Sequence, residues 1–296
     1  MHKKSDYPWI KPAGGLGDAL MLSGVLYQVF QKFPIRKFNL INTNNFHSIL
    51  FDHPAIAQIG FPSADAEILS TEYWTHKLFN ENSNLHAYTI LARMFGINDQ
   101  KEMKLFVPSK VQHKNSLRPF TSDKTKIALG PTSASPRKVM SKKKWNEVAM
   151  KLDDLGYFTI LLSDDTDFFI NTSYSLQGAT TPLEAIEILR QCDFLIASDS
   201  FLMHAAHLVG IPSIILWGPT DPYRYGYPGN IHIRAQPLCP DRKYCLSNPT
   251  NESYKLPCKY SNNQKCMNQI VVNDIILKLK SALIKDRKHI PTMYQS

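Results

Sequence analysis

Apolar residues are densest between positions 193 and 217 of the chain. Residues 193–197 read Asp-Phe-Leu-Ile-Ala, short, branched and apolar as a strand buried on both faces must be, and residues 213–217 repeat the pattern before a Gly218-Pro219 turn. Ser198, Asp199 and Ser200 are residue types that cap a helix start, and Gly210-Ile211-Pro212 is a helix stop. The stretch therefore predicts a strand, a helix and a second strand in one βαβ unit. The first amides of its helix, roughly residues 201 to 203, point into the crevice at the strand ends, where a phosphate is favoured.

The patterning extends in both directions. A short apolar piece at Trp9 and Ile10 leads through Gly14-Gly15-Leu16-Gly17-Asp18 into helical spacing over 19–33. Strands are predicted at 38–41 and 56–59, a helix at 85–95, and a last strand of this series at 105–107. Residues 108–124 are polar, rich in Ser, Lys, Asn and Pro, and read as a linker. A second series follows: strand 126–129, a loop at 130–136, helix 145–155, strand 158–162, helix 182–190, the βαβ unit, and a final amphipathic helix over 271–284. Two successive α/β halves predict a ligand cleft between them. The expected division is a first domain over 1–115, a second over 116–275 with a cysteine-rich segment at 237–267, and a terminal helix and tail at 276–296.

With 296 residues and 43% hydrophobic content the chain can bury an extended core. A formal net charge of +9 fits nucleic acid, an anionic membrane surface or a phosphorylated ligand, and charge alone does not choose among them. Its position says more, because Arg137, Lys138, Lys142, Lys143 and Lys144 cluster just after the middle of the chain while the carboxylates are dispersed. Asp6, Pro8, Lys11 and Asp18 interrupt any secretory apolar segment, and the most apolar long stretch carries Asp199, His204 and His207, unlike a bilayer span. These features predict a cytoplasmic protein with reduced thiols. Gly14, Gly15 and Gly17 permit positive φ and close approach of backbone to a ligand. Asp18 carries two compatible readings, helix cap and reactive carboxylate.

Three stretches carry a family likeness: Leu176-Gln177-Gly178-Ala179-Thr180-Thr181-Pro182-Leu183-Glu184, Asp199-Ser200-Phe201-Leu202-Met203-His204-Ala205-Ala206, and Trp217-Gly218-Pro219-Thr220-Asp221-Pro222. In order and spacing they resemble glycosyltransferase family 9, the ADP-heptose:lipopolysaccharide heptosyltransferases. The Gly-Leu-Gly-Asp opening, followed by Leu20-Met21-Leu22 and Val25-Leu26, is similar to the start of that family, and the resemblance covers most of residues 9–34 and 126–275. It implies an α/β protein of GT-B fold, two Rossmann-like domains with a cleft between them, the second holding a nucleotide-sugar donor and the first facing the acceptor. It also implies metal-independent inverting transfer, in which a base takes the acceptor's proton and the leaving nucleoside diphosphate is stabilised.

Carried over residue by residue, the resemblance places the base on Asp18, with Gly15, Gly17 and Thr132 in loops near the reaction centre. Lys138, seven positions before Trp145, falls near the donor phosphates, with Arg137 and Lys142 as substitutes; a solvated lysine face is the competing reading. Asp199 bonds the donor or caps its helix, the amides of Ser200, Phe201, Leu202 and Met203 receive phosphate oxygens, and Gly218 and Thr220 stand beside them. His204 reads as a donor contact or as a satisfied core histidine. Phe201 departs from the glycine most members have, which narrows the approach to the diphosphate. Trp217-Gly218-Pro219-Thr220 with Tyr225-Gly226-Tyr227 resembles a branch that tolerates such a Phe, some of whose members modify proteins.

Cys192 sits in an apolar helix end and reads as core. Cys239, Cys245, Cys258 and Cys266 fall in a Pro- and Asn-rich segment without a Cys-x-x-Cys pair. A structural Zn or Fe on these four, unpaired thiols and disulfides all remain open, while no cofactor is expected for catalysis. Autotransporter heptosyltransferases of the wider family carry a four-cysteine metal finger with a different spacing. The expected partners are a nucleotide-diphosphate sugar, ADP-heptose favoured, a saccharide or protein acceptor, and an anionic membrane at its inner face. Two other classes compete. A nucleotide-sugar epimerase or hydrolase of the same fold needs a further acid/base pair, for which Glu184 and His204 are poor candidates. A non-catalytic nucleic-acid-binding protein would use the basic run, but aromatic residues are not interleaved with it as stacking requires.

Overall fold

The computed structural model describes residues 7–42, 47–81, 84–99, 102–108, 120–236, 239, 245–246, 254–258 and 266–287. The first half contains β1 (Trp9–Lys11), α1 (Leu16–Lys32), β2 (Phe38–Ile41), α2 (His47–Leu50), β3 (Ile56–Gly60), β4 (Ile68–Ser70), a 3-10 turn (Tyr73–Thr75), α3 (Lys77–Glu81) and α4 (Ala87–Met94). The second contains β5 (Lys126–Gly130), a 3-10 turn (Pro136–Lys138), α5 (Lys142–Asp154), β6 (Phe158–Leu161), β7 (Tyr174–Ser175), α6 (Pro182–Leu189), β8 (Phe194–Ser198), α7 (Phe201–Val209), β9 (Ser213–Trp217), α8 (Pro222–Tyr225) and β10 (Asn230–Arg234). A last helix, α9 (Val272–Arg287), closes the described chain.

Each half folds into its own parallel sheet, in strand order β3-β2-β1-β4 and β10-β9-β8-β5-β6-β7. In both, the chain winds outward from its first strand and then crosses back to that strand's other side. The strand order reverses between β1 and β4, and again between β5 and β8, and the crevice at such a reversal is where a doubly wound sheet binds ligands. The loops that follow β1, β5 and β8 carry Gly14 to Asp18, Pro131 to Lys138, and Asp199 with Ser200.

Helices on both faces explain why β8 and β9 are buried at every residue and read as unbroken apolar runs. Trp145 and Leu152 of α5, with Ile275 and Leu279 of α9, fill one face of the second sheet. On the other face lie Ile186 of α6 with Ala205 and Ala206 of α7, and Ala19 and Leu20 of α1 join them there. The two halves therefore share one apolar contact through α1 and α7. Local signals set the helix ends: Thr181 and Glu184 form a reciprocal cap before α6, and Gly210, at φ +80°, stops α7.

The structure departs from the sequence pattern in three places. Residues 105–107 pair with no strand; the backbone there crosses α1 as a strap, with Ser23 donating to the Phe106 carbonyl at 2.6 Å and Tyr88 to the Lys104 carbonyl at 2.6 Å. Side chains satisfy these carbonyls in place of a ladder, and Phe106 stacks on Tyr27 with centroids 3.9 Å apart. The edge beside β1 belongs instead to β4, whose residues are exposed or half-buried and so gave no apolar signal. The final helix begins at Val272 and packs on α5, β9 and β10, so the expected division at 275 falls inside a helix of the second half. Of the expected linker at 108–124, residues 109–119 lie outside the described residues. Among the described residues no helix is long and apolar enough to cross a membrane.

Gly24 lies under the strap, and a Cβ there would collide with the Lys104 carbonyl oxygen and stand 2.9 Å from the Leu105 Cα. Gly24→Ala gains about 1 kcal/mol of helix propensity. The backbone clash costs about 1–3 kcal/mol and outweighs it. A melting temperature below that of the wild type, read by circular dichroism, is the expected result.

Candidate functional site

Asp18 is the third residue of α1 and not its N-cap, because the helix starts at Leu16, three positions before the apolar pattern begins, and Gly15 holds the N-cap. Its carboxylate folds back as part of a capping box: Oδ2 accepts the Gly15 amide at 2.7 Å, while Oδ1 accepts the Tyr73 hydroxyl at 2.7 Å. Gly14, at φ +83°, makes room, since a Cβ there would overlap the Asp18 carboxylate. Tyr73 comes from the turn after β4, on the other side of the first sheet's reversal. Thr71 fixes that turn to the glycine loop by accepting the Ala13 amide at 2.8 Å and donating to the Lys11 carbonyl at 3.2 Å. Burial raises the Asp18 pKa above an ordinary carboxylate; the Gly15 amide, the Tyr73 hydroxyl and the Lys138 charge oppose it, and the Asp199 charge adds to it. The result is a half-buried carboxyl whose proton affinity exceeds that of an ordinary aspartate.

At the second sheet's reversal Lys138 and Asp199 form a buried ion pair at 2.9 Å. Asp199 does not cap α7 either; Ser200 holds that position in extended backbone, and Asp199 Oδ2 accepts both Lys138 and the Thr220 hydroxyl, the latter at 2.6 Å. Ser133 donates to the Asp199 carbonyl at 3.1 Å. Burial alone lowers the Lys138 pKa, but the Asp199 charge and then Tyr254 outweigh it, and the ammonium is held above its usual value. The rest of the basic run goes elsewhere: Arg137 donates to the Cys245 carbonyl, Lys142 to the Asp167 carbonyl and Lys144 to the Ile270 carbonyl, while Lys143 is exposed. Lys138 alone of the run pairs with Asp199 among the described residues; Arg137, Lys142 and Lys144 reach main-chain carbonyls, and Lys142 and Lys143 keep an exposed face.

The first turn of α7 is partly committed. The Met203 amide donates to the Ser200 carbonyl at 3.1 Å and its side chain is in the core, while Leu202 packs on Gly130. Phe201 is half-buried at the helix start. The Ser135 and Ser200 hydroxyls, in the loops after β5 and β8, are buried and have no hydrogen-bond partner among the described residues. His204 bonds the Tyr227 hydroxyl at 2.6 Å, and a Cβ on Gly17 would come within 2.6 Å of its Cδ2. Gly17 thus admits the imidazole of the facing half, and burial takes that ring down to about 3, leaving it neutral. Gly218 makes way for the segment carrying Cys266, whose Sγ would lie 2.9 Å from a Cβ there. Thr132 turns towards the loop after β6, 3.2 Å from Ser163 Oγ and 3.2 Å from Asp164 Oδ1. Glu184 is occupied in the α6 cap, accepting the Thr181 amide at 2.8 Å.

Two residues of the site had little or no sequence signal as site residues. Tyr73 lies in a polar stretch with no motif, and Ser135 is one of several serines in its loop. Tyr225, which the Tyr-Gly-Tyr motif did mark, is within electrostatic reach of Lys138, Asp199 and Asp18, and burial raises its phenol. Cys192 is buried and donates to the Ile188 carbonyl at 3.3 Å, as a core cysteine. Cys266 is pushed up to about 11 by burial and then by the charges of Cys245, Cys258 and Cys239, which puts the four thiols in one neighbourhood. Among the described residues no three His, Cys, Asp or Glu side chains stand in a metal-holding group.

Two parallel α/β halves meeting through α1 and α7, each opening its reversal point towards the other, are the architecture of GT-B glycosyltransferases. The chain belongs to glycosyltransferase family 9 (heptosyltransferase), whose family model matches residues 47–263, and it is a glycosyltransferase. It is similar in fold to E. coli ADP-heptose LPS heptosyltransferase II, with 14% identity, a TM-score of 0.61, and coverage of 95% of this chain and 99% of that one. The family 9 glycosyltransferase of Veillonella parvula DSM 2008 superposes with a TM-score of 0.65 at 15% identity, over 96% and 99% of the two chains. The iron-containing dodecameric glycosyltransferase TibC of enterotoxigenic E. coli H10407 gives 0.68 at 19% identity, over 94% and 77%. A second TibC structure, in complex with ADP-D-β-D-heptose, gives 0.66 at 18% identity, over 94% and 77%. No curated protein sequence matches the chain.

The histidines where the halves meet predict acid lability. His204 at about 3 and His86 at about 4 lie below the value of 6.5 that the unfolded chain has. The unfolded state therefore binds more protons between these values, and the stability present above pH 6.5 is lost as pH falls. Each such group contributes a slope of about 1.4 kcal/mol per pH unit at most. Thermal melts should shift down between pH 7 and pH 5, and a midpoint that stays level would show these rings to be solvated.

Proposed function

We propose that the chain is an inverting glycosyltransferase that moves a sugar from a nucleoside diphosphate donor, heptose from ADP-heptose, to a saccharide or protein acceptor without a catalytic metal. One observation supports the reading: a half-buried carboxyl with raised pKa, Asp18, lies within electrostatic reach of the buried Lys138–Asp199 pair of the other half. That is the juxtaposition of a base and a phosphate-side cation that single displacement requires. On this reading residues 1–115 face the acceptor and residues 116–275 hold the donor.

In the reaction Asp18 takes the proton of the acceptor hydroxyl while that oxygen attacks the anomeric carbon from the face opposite the phosphate. The new C–O bond forms as the bond to the diphosphate breaks, and configuration inverts. Lys138 meets the charge that grows on the leaving phosphate, the role a divalent ion has elsewhere, while Asp199 and Thr220 hold its ammonium in place. The Ser135 and Ser200 hydroxyls and the first amides of α7 supply further donors to phosphate oxygens. Phe201 at the rim sets how the donor sugar enters. The relative that holds ADP-D-β-D-heptose and the family's heptosyltransferase description favour an ADP donor.

The four cysteines offer soft thiolate donors that suit a structural Zn or Fe, and their common neighbourhood around Cys266 supports this use. Such an ion would be held by Cys239, Cys245, Cys258 and Cys266 and would fix a segment poor in apolar residues. Elemental analysis should give one Zn or Fe per chain, and chains free of both would end this part of the reading.

Calorimetric titration with ADP, UDP, GDP and CMP, without divalent metal, should show tight binding of ADP alone. Preference for another nucleotide would replace the donor, and binding of none would sink the transferase reading. Asp18→Asn should abolish transfer while leaving ADP affinity nearly unchanged, because the base acts on the acceptor. Tyr73→Phe removes a hydrogen bond that favours the carboxylate form, so the Asp18 pKa rises further and the acid limb of the pH–rate profile moves to higher pH. An acid limb that stays in place would show that Asp18 is not the titrating base.

A further inference from the structure

The cysteine-rich segment contacts the donor loops at several points. Arg137, the neighbour of Lys138, donates to the Cys245 carbonyl and stands 3.5 Å from its Sγ. Cys266 and Met267 close over the Gly218 backbone, where a Cβ would lie 2.9 Å from the Cys266 Sγ and 2.5 Å from the Met267 Sδ. Asn268 accepts the Ser141 amide at 2.9 Å, which ties the same segment to the start of α5. The described stretch 254–258 carries half-buried Tyr254, and its ring centroid is 5.3 Å from Lys138 Nζ. The ammonium lies over that ring, and the phenol is within electrostatic reach of Lys138 and of Tyr73, the residue bonded to Asp18.

We propose that the described residues around Cys245, Tyr254 and Cys266 form a wall of the donor site, and that Tyr254 binds the terminal phosphate of a nucleoside diphosphate together with Lys138. This deepens the donor reading of Lys138 above and rests on it. The hydrogen-bond inventory supports the role. An ammonium has three protons, and the ion pair with Asp199 uses one, so Lys138 can still donate to a ligand oxygen. The Tyr254 phenol, beside that ammonium, has an O–H of its own for a second ligand oxygen. Lysine and tyrosine then form a paired donor for an anion, where leaving-group charge develops.

The test is calorimetric titration of the full chain with ADP and with AMP, alongside thermal melts. Tyr254→Phe keeps the ring and removes the oxygen, and the expected result is an ADP dissociation constant about tenfold higher, as for one hydrogen bond to a charged group. AMP affinity and melting temperature should stay as in the wild type. Wild-type ADP affinity in Tyr254→Phe overturns the assignment, and so does an equal loss for AMP and ADP, which marks a general structural role. A wild-type chain that binds no nucleoside diphosphate fails the donor reading itself and this inference with it.

Discussion

Taking a lysine and an aspartate out of water costs several kcal/mol for each ion, and the cost is offset only by good mutual geometry and further hydrogen bonds. The Lys138–Asp199 pair meets both conditions, with its 2.9 Å contact and the Thr220 hydroxyl on the same carboxylate oxygen. Its partners come from three loops, those after β5, β8 and β9, so these loops cannot move apart without leaving a charge buried and alone. The start of α7, the Ser135 and Ser200 hydroxyls and the contact to Tyr254 are all fixed relative to this pair. The loops at the second sheet's reversal are arranged around it.

Small residues do the corresponding work between the halves. Gly17 admits the His204 ring, and Ala19 meets Ala205 and Ala206 in one apolar cluster, so that α1 and α7 approach closely. That approach brings the Asp18 carboxyl into the field of Lys138 and Asp199. On the other side of Asp18, Tyr73 and the Gly15 amide occupy one carboxylate oxygen each. The side chain is therefore aimed by hydrogen bonds and raised in pKa by burial, two effects with opposite signs on its acidity. Burial is the larger.

The positive charge of the chain acquires a different meaning in three dimensions. A net +9 and a run of five cations within eight residues suggest a solvated patch for polyanions. Three of those five cations, Lys138, Arg137 and Lys144, instead lie in buried or half-buried positions against a carboxylate or backbone carbonyls, while Lys142 and Lys143 are exposed. Arg137 and Lys144 join the second half's loops to Cys245 and to the chain entering α9. Part of the basic run is thus internal stitching.

The sequence by itself determined what depends on neighbours along the chain. The βαβ unit around α7, the Gly210 stop, the α6 cap and the order of motifs that identify the family are all set by local periodicity, capping chemistry and glycine φ. The family resemblance of the motifs marked Asp18, Lys138, Asp199 and Thr220, while the N-cap positions offered to Asp18 and Asp199 belong to Gly15 and Ser200. Only the tertiary structure decided which lysine of the run is paired with Asp199, that 105–107 is a strap and β4 the edge strand, and that Tyr73, 55 residues from Asp18, is its partner. These choices rest on contacts between distant segments, where a buried charge or carbonyl takes whichever donor the folded chain brings within reach, and no local pattern records that partner.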